Sequence, residues 1–262
     1  PPGAGLAGQV GPWLSRSVSP IWMDTSTTSA CAEIAAAVGG AAEVNRLSGS
    51  EPAERFAGPQ VRKFHRTEPA AYAQTARIHL ASSFLTSLLA GKDCPIDPGD
   101  GAGMNLLNLA SLEWDPALLD ATAPGLEDRL PPVAGPAAVV GSLATWVSDG
   151  YGLPAGIPVL VGTGDNPASL VGTGATRPGE VVVSLGTSDT LFAASDTLRT
   201  DPNGYGHVFG NPAGGYMALI CFRNGSLARE RVRDEHGLSW NDFGPATLAE
   251  TAPGCGGNLF LP

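Results

Sequence analysis

The segment PVLVGTGDNPASLVGTG, residues 158–174, constrains the fold most because it joins an apolar run to a helix through a glycine turn. The run at 159–161 is short and rich in β-branched side chains, which predicts a buried strand. The glycines that follow permit a tight turn. Asn166 is predicted to be the N-cap of the next helix and Pro167 its first residue.

Asp165 lies on this hinge, between the end of a predicted strand and the start of a predicted helix. In an open α/β sheet, ligands bind at this edge, beyond the carboxyl ends of the strands. A helix N-terminus also favours nearby negative charge. Two interpretations stay open from this stretch alone: the carboxylate serves a bound molecule, or it only caps the helix.

Composition restricts the classes of protein and of partner. The chain has 262 residues, enough for one large domain or two ordinary ones, and 43% of them are hydrophobic, which supplies a sizeable core. The net charge of -10 and the pI near 4.7 argue against nucleic acid and anionic membranes as partners. They leave room for a phosphate ligand, which backbone N–H groups and a metal ion can hold.

The cysteines and the chain ends bear on location. The four cysteines, Cys31, Cys94, Cys221 and Cys255, show no CxxC or Cys/His spacing, which predicts buried, reduced thiols in a cytoplasmic protein. No apolar run is long enough to span a bilayer. The chain starts Pro-Pro-Gly without a methionine, and neither end carries a targeting pattern. We expect a piece of a longer protein.

Predicted strands, helices and turns follow one another along the chain. A strand is predicted over PIWMD at 20–24. The sequences VVVSLGTSDTLFAA and GYMALICF predict further strands, and RPGE at 177–180 predicts a boundary. Predicted helices cover 30–38, 42–47, 69–90, 114–121, 144–151 and 226–235, and 94–105 is predicted to be a loop.

The turn at 184–188, SLGTS, follows a predicted strand and precedes another. Such a turn can aim several N–H and hydroxyl donors at one anion, but taken alone the pattern favours an ordinary hairpin turn. No complete GxGxxG or GxxxxGK[ST] pattern occurs, so a Rossmann or P-loop site is not supported. Asp24 and Asp100 lie in polar loops, where they could line a cleft or contact the water shell of a metal, but loop aspartates are usually turn caps and this role is expected for both. The histidines, His65, His79, His207 and His236, form no constellation and are expected to be structural or exposed.

Several blocks, in order along nearly the whole chain, resemble the FGGY family of carbohydrate kinases. They are WMDTSTTSACAEI, ERFAGPQVRKF, DGAGMNLLNL, GTGDNPASL, VSLGTSDTLF, YMALICFRNGSLARE and SWNDF. The resemblance implies an α/β, actin-like ATPase fold of the ribonuclease H type. It implies two domains: a sugar-binding domain over 1–178 that lacks its start, and a truncated ATP-binding domain over 179–262.

The resemblance further implies ATP-dependent phosphorylation of D-xylulose to D-xylulose 5-phosphate, with Mg²⁺. It makes Asp165 the general base and a sugar contact, with Asn166 and Arg55 also at the sugar. Without the resemblance, Arg55 would be expected to form a surface ion pair with Glu51 or Glu54. The resemblance places Gly186, Thr187, Ser188 and Trp240 near the nucleotide, and no residue is assigned as a metal ligand.

Alternatives remain open at this stage. The family also contains kinases for other ketoses and polyols, and a non-catalytic sugar-binding fragment would carry the same blocks. An actin-like or chaperone ATPase is disfavoured because the GDN and ERF blocks resemble sugar-site features. The family's first phosphate hairpin and its adenine motif are absent from these residues, so activity of the chain on its own is an open question. The expected partners are a sugar and ATP, with a homodimer of the longer protein as a further option.

Overall fold

The computed structural model describes residues 6–222 and 225–258. The α-helices are α1 Leu6–Val10, α2 Thr28–Val38, α3 Ala41–Ser48, α4 Ala57–Thr67, α5 Pro69–Gln74, α6 Ala81–Ala90, α7 Pro98–Ala102, α8 Pro116–Thr122, α9 Thr145–Tyr151, α10 Asp165–Gly172, α11 Gly225–Glu235 and α12 Trp240–Glu250. The strands are β1 Leu107–Asn108, β2 Glu113–Trp114, β3 Val139–Ser142, β4 Pro158–Leu160, β5 Val181–Leu185, β6 Asp189–Ser195, β7 His207–Gly210 and β8 Tyr216–Phe222. None of the helices in these ranges combines the length and the apolar character needed to cross a membrane.

The largest sheet is four-stranded and antiparallel, in the order β5-β6-β8-β7. Side chains alternate between its faces, so Phe192 and Ala194 of β6 are buried while their neighbours are only partly covered. β1 pairs with β2, and β3 pairs with β4, in two-stranded antiparallel sheets. The long strands therefore lie in the last third of the chain and the helices dominate the rest.

Two apolar cores hold these layers together. The first packs the helices α2, α3, α4 and α8 around Ile34, Val44 and Leu118. The second joins Leu170 of α10 to Phe192 of β6 and the neighbouring strands. It crosses the predicted boundary at 177–180, because α10 precedes that segment and the sheet follows it. The helix that carries Asp165 is consequently packed onto the sheet.

Several predicted elements are confirmed, and these depend on local signals. α2 ends at Gly39, whose φ of 102° is the left-handed conformation that glycine adopts readily. α3 and α11 occupy the ranges predicted for them within one or two residues. The strands β5 and β6 flank the turn at 186–188, as the alternating pattern indicates. Residues 223 and 224 of the YMALICFRNGSLARE block lie outside the described residues.

The predicted strand at 20–24 is wrong. The segment is irregular with a turn, and Trp22 is 72% exposed. A strand needs a partner, and no strand of the described ranges pairs with it. Asp24 instead accepts hydrogen bonds from the backbone N–H and the hydroxyl of Ser26, which favours a turn.

The single helix predicted over 69–90 is also wrong, because the chain forms α5 and α6 with an irregular segment between them. Within that segment the Ile78 N–H donates to the Arg129 carbonyl at 2.8 Å. The Arg77 side chain pairs with Asp93 at 2.7 Å. These contacts from distant residues compete with the helix and outweigh its local propensity.

The opening segment differs from its prediction in two respects. The strand is β4, which pairs in the described part with β3 alone and antiparallel to it, so the described residues form no open parallel sheet around it. The helix begins at Asp165, with Gly164 as its N-cap in place of Asn166. The reason is local: Asp165 Oδ1 accepts the Asn166 N–H at 2.7 Å, which brings the aspartate into the first turn.

Smaller corrections concern the loop at 94–105, the helix at 114–121 and the thiols. The loop contains the short helix α7, whose N-cap is Asp97. Trp114 belongs to β2, and α8 starts only at Pro116. All four cysteines are free, as predicted, but only Cys94 is buried, whereas Cys221 and Cys255 are exposed. Apolar sequence around a cysteine does not reveal which side of a strand or helix faces solvent.

The edge strand β5 predicts self-association of this chain. Val181, Val183 and Leu185 are 55%, 62% and 66% exposed, and one edge of β5 has no partner strand among the described residues. Exposed apolar edges pair with other chains. We expect Val183→Lys to reduce concentration-dependent association in sedimentation velocity, whereas Leu248→Lys, at an exposed position on α12, should leave it unchanged. Equal effects of the two changes would contradict the assignment to β5.

Candidate active site

Asp165 lies at the first position of α10, and its side chain is exposed. Asp100 of α7 faces the backbone directly before it, since a Cβ added at Gly164 would be 3.0 Å from Asp100 Oδ1. Glycine at 164 therefore permits the close approach of the two aspartates. The result is a pair of carboxyl groups from α7 and α10, one open to solvent and the other mostly covered.

Burial sets the protonation of the second carboxyl group. Desolvation raises the pKa of Asp100 to about 6, and the charges of Asp97 and Asp165 add to the rise while the Ser82 hydroxyl, which donates to Asp100 Oδ2, opposes it. Asp97 is itself buried, which raises its pKa, although its Oδ1 accepts the Asp100 N–H at 2.8 Å. Asp100 is thus a mostly buried carboxyl group beside Asp165 whose protonation changes near pH 6, rather than only a turn cap.

We expect Asp100→Asn to stabilise the fold at neutral pH. The pKa of this carboxyl group is about 6 in the folded state and 3.8 in the unfolded state. Such a group stabilises the folded protein below pH 4, and this stabilisation is lost as the pH rises through 6. Removing the charge should raise the free energy of unfolding at pH 7 by about 1–3 kcal/mol and change it little at pH 4. Urea unfolding at both pH values measures this, with the exposed Asp120→Asn as the control. Equal changes at the two pH values would rule out the ionisation as the cause.

A separate cleft of about 710 Å³ lies between the first half of the chain and the large sheet. Its lining comes from the segment after α1, the loop before α4, the β5–β6 turn and the strands β7 and β8. The residues are Trp22, Met23, Thr25, Thr28, Cys31, Pro52, Ala53, Glu54, Arg55, Thr187, Ser188, Tyr205, His207, Cys221 and Leu227. The cleft therefore brings together Arg55, Thr187 and Ser188, which were predicted as site residues from distant parts of the sequence.

Arg55 is exposed in this cleft. Its Nη2 atom lies 3.4 Å from His207 Nε2, and its guanidinium carbon lies 5.9 Å from the centre of the Phe56 ring. Among the ion pairs of the described residues, none joins Arg55 to Glu51 or Glu54. The surface ion pair that the sequence left open is therefore not the arrangement found here.

The turn Gly186–Ser188 closes the β5–β6 hairpin and is anchored from α11. The Gly186 carbonyl accepts the Ser226 N–H at 2.8 Å and the Ser226 hydroxyl at 2.5 Å. Arg229 forms a forked pair with Asp189, at 2.8 and 3.1 Å. Ser226 thus occupies the Gly186 carbonyl. The hydroxyl groups of Ser188 and of the exposed Thr187 lie at the cleft wall. The turn is thus a hairpin turn that also lines a cleft.

The two predicted groups of site residues lie at opposite ends of β7. His207 lines the cleft, whereas Gly210 packs against α7, with its virtual Cβ 2.6 Å from Pro98 Cβ. At about 3.4 Å per residue, the span from His207 to Gly210 is roughly 10 Å. Asp165 and Asn166 do not line the cleft that contains Arg55. They lie instead on the side of Asp100, whose pKa the charge of Asp165 raises.

Trp240 lies outside the cleft lining, at the start of α12. Its ring is half-exposed, with the Arg233 guanidinium 4.5 Å from its centre and the Phe243 ring edge-on at 5.7 Å. The sequence favoured a turn cap for Asp100 and did not distinguish His207 from the other histidines. Their signal is spatial, since burial and remote partners distinguish them from other loop aspartates and other histidines.

Comparisons with known proteins agree with the sequence blocks. The model of the FGGY family of carbohydrate kinases, N-terminal domain, matches residues 17–172. Xylulose kinase of Rattus norvegicus is 48% identical over 94% of this chain and 46% of the rat protein. Xylulose kinase 2 of Arabidopsis thaliana is 43% identical over 94% of this chain and 44% of the plant protein.

The fold of this chain also matches that of a solved structure of a xylulose kinase. Xylulose kinase from Rhodospirillum rubrum matches with a TM-score of 0.77 at 24% identity, over 89% of this chain and 48% of that one. The chain spans just under half the length of each of these relatives. The predicted actin-like ATPase fold is confirmed by this likeness, and the predicted resemblance by the family match. From its sequence blocks, its fold and these matches, the chain belongs to the FGGY family of carbohydrate kinases.

Proposed function

We propose that the protein containing this chain transfers a phosphoryl group from ATP to D-xylulose, giving D-xylulose 5-phosphate. The observation that carries this proposal is the 48% identity to rat xylulose kinase along 94% of the chain. The printed name of that relative gives the substrate, and the site residues of this chain supply suitable chemistry.

Asp165 is the proposed general base. A sugar hydroxyl is a poor nucleophile at neutral pH, and a carboxylate within hydrogen-bond reach accepts its proton as the new oxygen–phosphorus bond forms. The bond from phosphorus to the leaving ADP oxygen breaks in the same step. Support comes from the exposure of Asp165 and from its place in the first turn of α10, where the helix dipole favours its charge.

Arg55 and Asn166 are the proposed sugar contacts. The Arg55 guanidinium presents forked donors that suit adjacent hydroxyl groups. Its exposure in the cleft, with His207 as its partner, supports this role. Asn166 is partly buried beside Asp165 on α10. Asp165 and the cleft lie at opposite ends of β7. A sugar that contacts both Asp165 and Arg55 would therefore lie along β7, beside α7.

Gly186, Thr187, Ser188 and Trp240 are the proposed nucleotide contacts. ATP supplies the phosphoryl group, and Mg²⁺ neutralises charge on the phosphates. The turn fits this task because its two hydroxyl groups stand at the cleft wall while its Gly186 carbonyl is occupied by Ser226. No group of three or more His, Cys, Asp or Glu residues in the described ranges could hold a metal ion. Mg²⁺ usually binds through phosphates, waters and one or two carboxylates, so the phosphates of ATP would supply ligands in place of such a group.

A coupled ADP-release assay tests the proposal on a polypeptide extended to the length of the relatives. D-xylulose should support ADP release, and D-ribulose and glycerol should support much less. Faster turnover with either of these would favour a kinase for another ketose or a polyol. Binding of D-xylulose by calorimetry without any ADP release would favour a non-catalytic sugar-binding protein. The domain boundary, a homodimer and a cytoplasmic location stay predictions.

A further inference from the structure

His207 occupies a position that the sequence did not distinguish from the other histidines. It starts β7 and lines the cleft beside Arg55. Both ring nitrogens have polar neighbours: Nε2 lies 3.4 Å from Arg55 Nη2, and Nδ1 lies 3.0 Å from the Ser50 hydroxyl. Arg55 and His207 are separated by 152 residues, so this contact joins the loop before α4 to the large sheet.

The chemistry of the two groups determines the direction of the hydrogen bonds. A guanidinium only donates, so Nε2 must be the acceptor, and the imidazole proton must lie on Nδ1 and point to Ser50 Oγ. Burial, and then the charge of Arg55, lower the pKa of His207 to about 4, which keeps the ring neutral as this arrangement requires. Glu54 is the other charged residue that lines the cleft.

Ring packing holds the imidazole in place. The Phe56 ring meets it edge-on with centres 5.5 Å apart, and the Phe209 ring lies 6.0 Å away on β7. Ser50 is fully buried, so the hydroxyl oxygen that accepts the hydrogen bond from Nδ1–H is itself held in place. Arg55, by contrast, is a long exposed side chain, and within the described residues its side chain has one hydrogen bond, the one to His207.

We propose that His207 is a positioning residue that holds the Arg55 guanidinium in the cleft, with its remaining donors directed at the sugar. The inference rests on the proposed role of Arg55 as a sugar contact. Ordering a flexible arginine before the sugar binds lowers the entropic cost of binding, so His207 acts on affinity for the sugar through Arg55. It touches neither reacting group.

Two substitutions of His207 distinguish the effect of its hydrogen-bond acceptor from the effect of its ring packing. His207→Phe keeps packing against Phe56 and Phe209 but has no acceptor, whereas His207→Gln loses the ring but places an amide oxygen near the site of Nε2. In the extended polypeptide, His207→Phe should raise the KM for D-xylulose about 5–10-fold, as for loss of one hydrogen bond, with kcat and the KM for ATP nearly unchanged. His207→Gln should restore most of the loss. The opposite ranking would show that ring packing matters and would overturn the proposal.

A double-substitution cycle tests whether His207 acts through Arg55. In an Arg55→Ala background, His207→Phe should have little further effect on the KM for D-xylulose. An additive effect would overturn the proposed positioning role alone, whereas no effect of Arg55→Ala by itself would remove Arg55 from the sugar site and the inference with it. His65→Phe is the matched control, because His65 also packs edge-on against an aromatic ring, Tyr72, away from the cleft.

A second variant keeps the test decisive if His207→Phe does not fold. Ser50→Ala removes the acceptor that keeps the imidazole proton on Nδ1. It should raise the KM for D-xylulose about 2–5-fold without changing the KM for ATP, because Nε2 is then protonated in part of the molecules. Thermal unfolding of each variant confirms that it is folded. Unchanged KM values in a folded Ser50→Ala variant would contradict the proposed tautomer and the role built on it.

Discussion

Replacing Asp165 by alanine in the extended polypeptide should lower kcat for D-xylulose phosphorylation by about 10²–10⁴, the range for loss of a general base. The KM for the sugar should change less, because the proposed sugar contacts Asn166 and Arg55 remain. Coupled ADP release under saturating ATP measures both constants. Asp149→Ala, at an exposed position on α9, is the control and should leave kcat unchanged.

The carboxyl group of Asp100 gives this experiment a further outcome. Asp165 contributes to the raised pKa of Asp100, so Asp165→Ala should also lower the Asp100 pKa from about 6. NMR titration of the Asp100 carboxyl group would detect that change independently of turnover. If kcat stayed near normal while the Asp100 pKa fell, Asp165 would be an electrostatic neighbour of Asp100 and not the base.

Replacing Arg55 by alanine should raise the KM for D-xylulose by about 10–100-fold, the loss expected for charge-assisted hydrogen bonds of about 1.5–3 kcal/mol. The KM for ATP should stay nearly constant because the proposed nucleotide contacts at Thr187 and Ser188 come from the β5–β6 turn and not from the loop that carries Arg55. Arg55→Lys should recover only part of the affinity, since an ammonium lacks the planar fork. A parallel rise in both KM values would mean that Arg55 acts through folding or closure of the cleft.

Sequence reasoning succeeded where the determining contacts are local. The end of α2 follows from one glycine, Gly39, and the β5–β6 hairpin follows from alternation around a short polar turn. The role of Gly186–Ser188 at the nucleotide, which only the family resemblance gave, stays a prediction, although the turn does line the cleft. In each case the residues that decide the conformation lie within a few positions of one another.

The failures have a common physical cause in distant contacts. The segment at 20–24 has the composition of a strand but no partner in the described ranges, and the break between α5 and α6 is stabilised by Arg129 and Asp93. Asp100 has the same local sequence signal as any turn aspartate. Only the packing of α7 against Gly164 gives it the burial that raises its pKa.

The anchoring of the turn Gly186–Ser188 has a consequence for the order of events during synthesis. Asp189 emerges from the ribosome 40 residues before its partner Arg229. Gly186 likewise emerges 40 residues before Ser226, which hydrogen-bonds to its carbonyl. Until those residues are released and α11 has formed, the hairpin can pair its strands but its turn has no anchor. The wall of the cleft that bears the Thr187 and Ser188 hydroxyl groups is therefore among the last parts of this chain to take its final form.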